Sequence, residues 1–558
     1  MKKIIVYGLA SLALSGLAGS LASCSDDDDD SSSSNTVSDE SVVASDEEAL
    51  ALVNGAYGPL QTLSSSLSFL VEIATESGIS FEGEEDADGP LVSRLEHDET
   101  TWYPVKVFNR FYSAIGTLND AIEKIESSSD VSETAQTEYV AKAKFLRGLC
   151  YSWLVQLYGE VPLVISTDET IEDHERNSID DVYEQIVSDL EDAEDGLPQE
   201  YTQDPVEPTR YVAEALLARV YLTWGCNPLD QDEVEAIVDS REDPAFTTDA
   251  DKLEKAVEYA DKVISSGYYE LLDDFTQLYG RANESNKSGG KEHVFTISHD
   301  GDSYDEQGNH QTHCAFTYPF ELAKDNHLTP ADIELLTDWQ ERDLADSVRR
   351  DWSYTTYVEN YEEDNKGYYY LPPITLPRWG KGVDRSYTNS ENETILENDV
   401  DRIEMRYAEV LLIKAEALVE LGEDLDEALG LLNQLQERAG ATPYTEATRA
   451  AVRQEWEDEF VYEQKSWLNR VRWKTLISSV LSVENFTHYA TESCTAGPLV
   501  KLYEDDGTEV YQNEAFFAKV YKHLNAKYNN IKGKFYRFPI PTGESGNDLG
   551  IEPQNPGY

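Results

Sequence analysis

Basic residues are scarce in this chain of 558 residues. It contains 44 Lys and Arg against 109 Asp and Glu, which gives a formal net charge of −65 at pH 7. Binding to a nucleic-acid backbone or to anionic lipid headgroups requires clustered Lys and Arg side chains. The charge balance therefore argues against nucleic acid as a partner and against a basic patch that docks directly on a membrane.

Cysteine is also rare, and its spacing excludes two common uses. The five cysteines are far apart and never form a C-x-x-C pair: Cys24, Cys150, Cys226, Cys314 and Cys494. This spacing predicts neither a disulfide framework nor a zinc ribbon. Cys150 falls in an apolar helical stripe, where a free thiol behaves as a small buried hydrophobic group.

Recognisable catalytic motifs are missing. The sequence has no G-x-S-x-G, no H-E-x-x-H and no P-loop. His310, His313 and Cys314 resemble a metal cluster but lack a distant second pair of ligands. Among 109 carboxylates some pair will always suit a glycosidase, so their abundance carries no information. We predict no catalytic residue, no metal and no cofactor.

The N-terminal residues have the order of a secretory signal peptide. Lys2 and Lys3 precede an apolar stretch that ends in Leu-Ala-Ser-Cys at positions 21–24. The Asp and Ser run that follows cannot bury apolar surface and predicts a solvated tether. We assign residues 1–23 to the signal peptide and residues 24–45 to the tether. The alternative is an ordinary signal peptide or membrane anchor with a coincidental cysteine.

Helical periodicity dominates residues 46–226 and 402–558. Apolar residues recur every three to four positions between Val105 and Ile125, as in a helix that faces a core. Asp130 and Glu133 predict a capping box for the next helix. Asp424 predicts the N-terminal cap of a later helix, which ends at Gly440. Further helices are predicted over Ser178–Glu194, Thr209–Trp224, Asp251–Ser266 and Ile403–Leu421.

Residues 227–401 differ from both helical parts. They are richer in Gly, Pro, Asn, Asp and Tyr, and long amphipathic windows are scarce. Val294–Ile297 predicts a strand, and Tyr368–Tyr370 before two prolines predicts extended chain. A long irregular segment on a rigid scaffold commonly carries function, so we assign ligand binding to this part.

Four sequence blocks in one order resemble the SusD/RagB family. They are Ala143–Val164, Met405–Ala417, Leu432–Gly440 and Phe538–Pro541 with the terminal Gln554–Tyr558. Residues 21–24 resemble a bacterial lipobox, and the acidic run behind Cys24 resembles the surface-export signal of Bacteroidetes lipoproteins. Gln464, Lys465 and Asn469 depart from the pattern of the family's acidic helix, at positions that we interpret as scaffold.

The resemblance implies a mainly α fold, in which TPR-like helix pairs form one large SusD-like domain over residues 46–558 with long irregular loops and a few short strands. It implies a lipoprotein acylated at Cys24, exposed at the outer membrane, and held to the membrane only through its lipid. Such proteins bind oligosaccharides, or peptides in the RagB branch, for a SusC-like TonB-dependent transporter, and are not enzymes. A surface glycoside hydrolase and an adhesin-like protein are the alternatives.

Aromatic side chains are the candidate ligand contacts, because a ring face suits the apolar face of a sugar. Tyr outnumbers Phe 34 to 16, so much aromatic surface carries a polar group. Candidates must be exposed and must lie off the helical stripes, and Arg378 could donate paired hydrogen bonds to sugar hydroxyls. The set is Trp102, Tyr103, Trp339, Trp352, Tyr354, Arg378 and Trp379. We predict that Trp153, Trp224, Trp456, Trp467 and Trp473 lie in the core.

Overall fold

Helices at both ends of the chain make up most of the computed structural model. It describes residues 43–80, 88–171, 175–199, 207–278, 292–298, 401–481, 523–542, 551 and 553–558, together with Arg349. In the middle and near residue 500 it describes short strands, whose bounds are given below. Residues Val43–Tyr558 form one compact unit.

The described helices are numbered in chain order. They are α1 (Asp46–Asn54), α2 (Tyr57–Gln61), α3 (Ser64–Val71), α4 (Asp88–Ser93), α5 (Trp102–Ser127), α6 (Glu133–Tyr158), α7 (Ile179–Gly196), α8 (Arg210–Gly225), α9 (Gln231–Ile237), α10 (Ala250–Ser266), α11 (Tyr407–Leu421), α12 (Leu425–Arg438), α13 (Arg449–Phe460), α14 (Ser466–Arg472), α15 (Leu476–Leu481) and α16 (523–530).

The described strands are short. They are β1 (Gly78–Ser80), β2 (His293–Ile297), β3 (Ile333–Leu335), β4 (Tyr354–Thr355), β5 (Tyr357–Glu362), β6 (Asn365–Tyr370), β7 (Arg378–Trp379), β8 (Arg402–Arg406), β9 (Leu502–Tyr503) and β10 (Glu509–Val510). Strands β5 and β6 form an antiparallel hairpin, which confirms the extended chain predicted at Tyr368–Tyr370.

The scaffold is a succession of packed helix pairs. Helix α5 packs on α6, α6 on α7, α7 on α8, α8 on α10, α10 on α11, and α11 on α12. The apolar stripe of α5 is buried along its length, from Phe108 to Ile125. Helix α5 buries one stripe, whereas α6, α8 and α11 lie between neighbours and are buried around most of their circumference, as in a helical repeat protein. The predicted mainly α architecture of TPR-like pairs is confirmed.

The start of α6 corrects the predicted capping box. The N-cap is Ser132, whose hydroxyl accepts a hydrogen bond from the Ala135 amide, and Asp130 lies outside the helix. A serine one residue before Glu133 reaches the N3 amide, so the Asp130 carboxylate is not needed there. The predicted end of the helix is confirmed, since Gly159 follows it with a φ of +78°.

A two-stranded sheet replaces the start of the helix predicted over Ile403–Leu421. Residues Arg402–Arg406 form β8, which pairs antiparallel with the predicted strand around Val294–Ile297, and the helix starts at Tyr407. The pairing partner of β8 is β2, more than 100 residues away in sequence. The local spacing of apolar residues therefore could not predict the strand. The ring of Phe295 packs edge-on against Phe145 of α6, at 5.1 Å between centroids.

The predicted cap at Asp424 is confirmed in position, but not in its side-chain contact. Asp424 has a φ of +43° and its side chain makes no capping hydrogen bond to α12. A left-handed residue is placed to turn the chain between α11 and α12. The preceding Gly422, with a φ of +72°, ends α11 as predicted.

Buried ion pairs join the C-terminal helices to the central part of the chain. The Arg406 side chain is fully buried and lies 2.8 Å from Glu292 Oε1 and 2.5 Å from Glu459 Oε1. Arg349 is equally buried and donates to Glu455 and Glu459 of α13, at 2.6 and 2.9 Å. Buried pairs of this kind tolerate no loss of a partner, because an uncompensated charge would remain.

Four of the five tryptophans predicted for the core are buried. Trp153, Trp456, Trp467 and Trp473 are each at most 3% exposed, which confirms the prediction. Trp224 is only partly buried, and its indole N–H donates to Asp180 at 2.7 Å. Cys150 is buried as a free thiol, also as predicted. None of the helices in the described part of the chain is long and apolar enough to cross a bilayer.

Candidate functional site

A four-stranded sheet brings three candidate residues together. Its strand order is β1-β3-β7-β4, with every neighbouring pair antiparallel. Tyr354 is the register partner of Trp379, and Arg378 lies between Thr355 on one side and Glu334 on the other. Directly opposed positions of an antiparallel pair fall on the same face of a sheet. Positions 354 and 379 therefore share one face.

Trp102 is a fourth candidate, and its position is held by a neighbouring helix. It is the first residue of α5 and is 48% exposed. Its backbone N–H donates to Asp88 Oδ2 at 2.9 Å, so a carboxylate from α4 caps α5. The Lys106 ammonium nitrogen lies 4.4 Å from the centroid of the Trp102 ring. These contacts hold the exposed indole ring of Trp102 next to the positively charged Lys106 side chain.

Helix α4 connects Trp102 to the edge of the sheet. Its first residue, Asp88, binds the Trp102 amide, and its last residue, Ser93, accepts a hydrogen bond from the Ser80 amide of β1 at 3.1 Å. A continuous run of contacts thus leads from the exposed indole to β1. We define the candidate site as Trp102 with the sheet positions Tyr354 and Trp379, which share one face, and with Arg378, whose position falls on the opposite face.

Tyr103 is placed differently from the prediction. It is only 7% exposed, although candidates were expected to be exposed. Its ring packs edge-on against Trp102, at 4.8 Å between centroids and an interplanar angle of 79°. One residue further along a helix turns the side chain by about 100°, which moves it from solvent to the core. Tyr103 therefore supports Trp102 from below.

The turn before α5 is built around one carboxylate. Asp98 accepts hydrogen bonds from the Thr100 amide and hydroxyl, at 3.0 and 2.8 Å, and from the Thr101 hydroxyl at 3.2 Å. Partial burial opposes ionisation of Asp98, but these hydrogen bonds outweigh it, and the pKa of Asp98 lies below its ordinary value. The turn is thereby held in one conformation where the chain enters Trp102.

His97 anchors the same turn to the C-terminal residues. It is 2% exposed, and its ring lies 5.3 Å from both Phe535 and Phe538. The Tyr558 hydroxyl lies 3.2 Å from His97 Nε2. Burial, with a further contribution from Lys534, lowers the pKa of His97 to about 3. The imidazole is therefore neutral in the folded protein at physiological pH.

Acid is expected to destabilise the protein through His97. Below pH 6.5 the unfolded chain binds a proton at this residue that the folded chain refuses until about pH 3. The folded pKa is the lower one, so stability falls with falling pH, by about 2–3 kcal/mol at pH 4.5. Denaturant midpoints of the wild type and of His97→Gln from pH 7.5 to 4.5 measure this effect. Parallel pH curves for the two proteins would contradict it.

The remaining candidates lie outside the described residues. These are Trp339, Trp352, the predicted lipidation site Cys24, and the metal-like group at His310, His313 and Cys314. In the described ranges, no group of three or more His, Cys, Asp or Glu side chains is arranged to hold a metal ion.

The residues that support the site were not predicted from the sequence. Asp88 and Lys106 flank Trp102, and Arg349 lies five residues before β4. Asp88 stood in an acidic loop, where nothing distinguished it from its neighbours. A single Arg in a polar segment likewise gives no local sign that it is buried.

Comparison with known proteins identifies the family. Residues 337–558 match a family model described as "SusD family", and residues 29–222 match one described as "Starch-binding associating with outer membrane". The chain belongs to the SusD/RagB family. The two matches include both helical parts, and Tyr354, Arg378 and Trp379 of the candidate site fall inside the first.

Curated SusD-like proteins align with much of the chain. It is 29% identical over 341 residues to SusD-like protein P2 of Formosa agariphila, which covers 59% of this chain and 61% of that protein. It is 23% identical over 446 residues to a SusD-like protein of Bacteroides ovatus, covering 75% of this chain and 76% of that one.

Solved structures share the SusD-like fold. A SusD homolog from Bacteroides thetaiotaomicron has a TM-score of 0.68 and 22% identity, covering 93% of this chain and 98% of the other. Surface glycan-binding protein A from the same organism, solved in complex with laminarihexaose, has a TM-score of 0.65 and 19% identity, covering 92% and 99%. At such identities the likeness establishes the fold.

Proposed function

We propose that this SusD/RagB family member is a glycan-binding protein that captures oligosaccharides at Trp102 and the neighbouring sheet. The observation that carries the proposal is the register of that sheet, which sets Tyr354 opposite Trp379 on one face. Two aromatic positions on one face match the apolar face of a sugar, whereas Arg378, one residue earlier in β7, occupies the opposite face. The laminarihexaose complex of a protein with the same fold supports this choice.

Binding, and not catalysis, is the activity that we propose. The sequence has no recognisable hydrolase motif, and the candidate site combines aromatic residues with a single Arg. Glycoside hydrolysis requires two carboxylates at a defined separation across the glycosidic bond. Release of reducing sugar from a bound oligosaccharide would overturn this part of the proposal.

We further propose that a lipid on Cys24 anchors the protein at the outer surface of the outer membrane, where it delivers its ligand to a SusC-like TonB-dependent transporter. Support comes from the Leu-Ala-Ser-Cys order at residues 21–24 and from the family description, which names the outer membrane. Mass spectrometry of the mature N-terminus tests the lipid. Co-purification from native membranes tests the transporter.

Isothermal titration of the full chain in detergent is the test of glycan binding. The panel includes laminarihexaose and maltoheptaose, with oligopeptides of similar mass. We expect one glycan class to bind, and we expect Trp379→Ala and Trp102→Ala each to weaken it about tenfold or more, as for buried aromatic contacts at other interfaces. Leu425→Ala is the control, because Leu425 is 44% exposed, similar to Trp102, and is the first residue of α12 in the C-terminal helical part.

Three outcomes are decisive. Loss of binding in the two Trp variants together with full binding in Leu425→Ala supports the assigned site. Equal binding by all variants would place the ligand elsewhere. If oligopeptides bind and no glycan of the panel does, glycan binding is wrong and the protein is a RagB-like peptide-binding protein.

A further inference from the structure

A buried ammonium group lies in a cage of three backbone carbonyls next to β1. Lys527 of α16 is 0% exposed. Its Nζ donates to Ile73 O at 2.7 Å, Thr75 O at 2.5 Å and Gly78 O at 2.7 Å. An ammonium group carries three donors, and each of them has one carbonyl acceptor here. A buried charge in a protein is retained only with such compensation.

The cage is formed by a turn that ends in the binding sheet. Gly78 is the first residue of β1, and β1 is an edge strand of the sheet. Three carbonyls that converge on one point repel each other, and a donor group between them relieves this repulsion. Burial lowers the pKa of Lys527 to about 7, so the group is fully an ammonium only below that pH. Lys527 supplies that donor group from a helix of the scaffold.

The turn is held from its other side by α14. Ser466 Oγ lies 3.1 Å from Thr75 Oγ1 and 2.9 Å from Ser77 Oγ. Arg470 donates to Glu76 Oε1 at 2.5 Å. Residues 72–78 are therefore enclosed between α14 and α16, and Lys527 binds their backbone directly. A change at Lys527 is transmitted to β1, because the carbonyl of its first residue is one of the three acceptors.

We propose that Lys527 is a positioning residue for ligand binding. Its ammonium group fixes the turn 73–78 and thereby the edge strand β1, and β1 supports the strands that carry the ligand contacts. This inference rests on the proposed glycan-binding function. Lys527 does not touch the ligand in this account. It holds β1, which pairs with β3 and through β3 with β7, where Arg378 and Trp379 lie.

Hydrogen–deuterium exchange of the full chain in detergent tests whether Lys527 holds residues 72–80 in place. In Lys527→Met, which keeps the apolar stem and removes the charge, we expect faster exchange in residues 72–80 and unchanged exchange in α5 and α6. The matched control is Lys532→Met, because Lys532 is 35% exposed and pairs with Asp239 at the surface. Unchanged exchange at residues 72–80 would overturn the inference, and so would uniformly faster exchange throughout the chain.

Titration with laminarihexaose, or with whichever glycan of the panel binds the wild type, tests whether Lys527 affects glycan affinity. Lys527→Met is expected to raise the Kd about tenfold or more, because three buried carbonyls lose their donor and the binding strands lose their support. Lys532→Met is expected to bind like the wild type. Wild-type affinity in Lys527→Met, measured well below its unfolding temperature, would overturn the inference.

Chemical rescue separates the charge from the packing. Lys527→Ala removes the three carbons beyond Cβ and the ammonium group, which together correspond to propylammonium. Propylammonium chloride is expected to restore both the slow exchange of residues 72–80 and the glycan affinity, whereas sodium chloride at equal ionic strength is not. Failure of propylammonium to restore the slow exchange counts against the inference. If the wild type binds no glycan, the proposed function fails, while the exchange and rescue arms still test Lys527.

Discussion

Replacement of Arg406 by Met is expected to lower the free energy of unfolding by about 3–5 kcal/mol, the cost of removing one partner from a buried ion-pair network. Arg406 is fully buried and serves three carboxylates, those of Glu292, Glu459 and Glu463. Arg438 also binds Glu292 and Glu459, so Glu463 loses its guanidinium while the other two keep one. Denaturant unfolding followed by circular dichroism measures the loss.

A surface pair provides the matched control for this change. Lys255 and Glu258 lie 2.6 Å apart, and both side chains are about half exposed. Lys255→Met removes the same single charge and is expected to cost less than about 1 kcal/mol, because water and salt screen exposed pairs. Equal losses in the two variants would show that burial does not decide the contribution of Arg406.

Replacement of Gly533 by Ala is expected to destabilise the protein by about 3 kcal/mol, at the upper end of the range for overpacked positions. A Cβ at this position would lie 1.9 Å from the backbone oxygen of Ile237. Separating the two segments to relieve the clash would break the hydrogen bonds from Gly533 N to Ser240 O, at 2.9 Å, and from Lys534 N to Val238 O, at 3.1 Å. The unfolding temperature is the readout.

Gly430→Ala adds the same methyl group where there is room for it. Gly430 lies inside α12, is exposed, and has no atom within 4 Å of the added Cβ. Alanine in a helix interior is expected to stabilise by about 0.5–1 kcal/mol relative to glycine. Opposite signs for the two substitutions would confirm that the contact with Ile237, and not the loss of glycine itself, causes the damage. A stable Gly533→Ala variant would contradict the described approach of the two segments.

Helices that pack on their neighbours in sequence were predictable. The stripe from Phe108 to Ile125 and the end of α6 at Gly159 follow from local periodicity and from the conformational freedom of glycine. The same local rules failed where a distant partner decides the structure. Residues 403–406 form a strand because the distant β2 pairs with them. The cap of α6 is a separate, local error, because Ser132 and not Asp130 accepts the hydrogen bond of the N3 amide.

Part of the candidate site was predictable by residue type, and its support was not. Exposed aromatic residues in irregular segments suggested Trp102, Tyr354 and Trp379, but only the strand register joins the last two. Nothing in the local pattern around Lys527 indicates a fully buried ammonium group. Charged residues are seldom buried, so burial of one becomes visible only when its partners are known.

Lys465 shows how a departure from the family pattern fits the structure. The sequence suggested a scaffold position, and the side chain is buried with its ammonium nitrogen 3.1 Å from Glu409 Oε2. Glu409 also binds Arg219 of α8, at 2.7 Å. Lys465 therefore adds a second cation to a carboxylate that ties α11 to α8. Its role depends on three segments that are distant in sequence, which a single-sequence pattern does not contain.

The sequence separation of the strands in the four-stranded sheet, where we propose that ligand binds, has a consequence for the order of folding. Gly78 pairs with Leu335, so two neighbouring strands come from positions more than 250 residues apart. Closing so long a loop is slow and entropically costly, whereas helices that pack on their sequence neighbours form early. We therefore expect the binding surface to assemble last, on a scaffold that is already folded. A partly folded molecule would possess its helices and still be unable to hold a ligand.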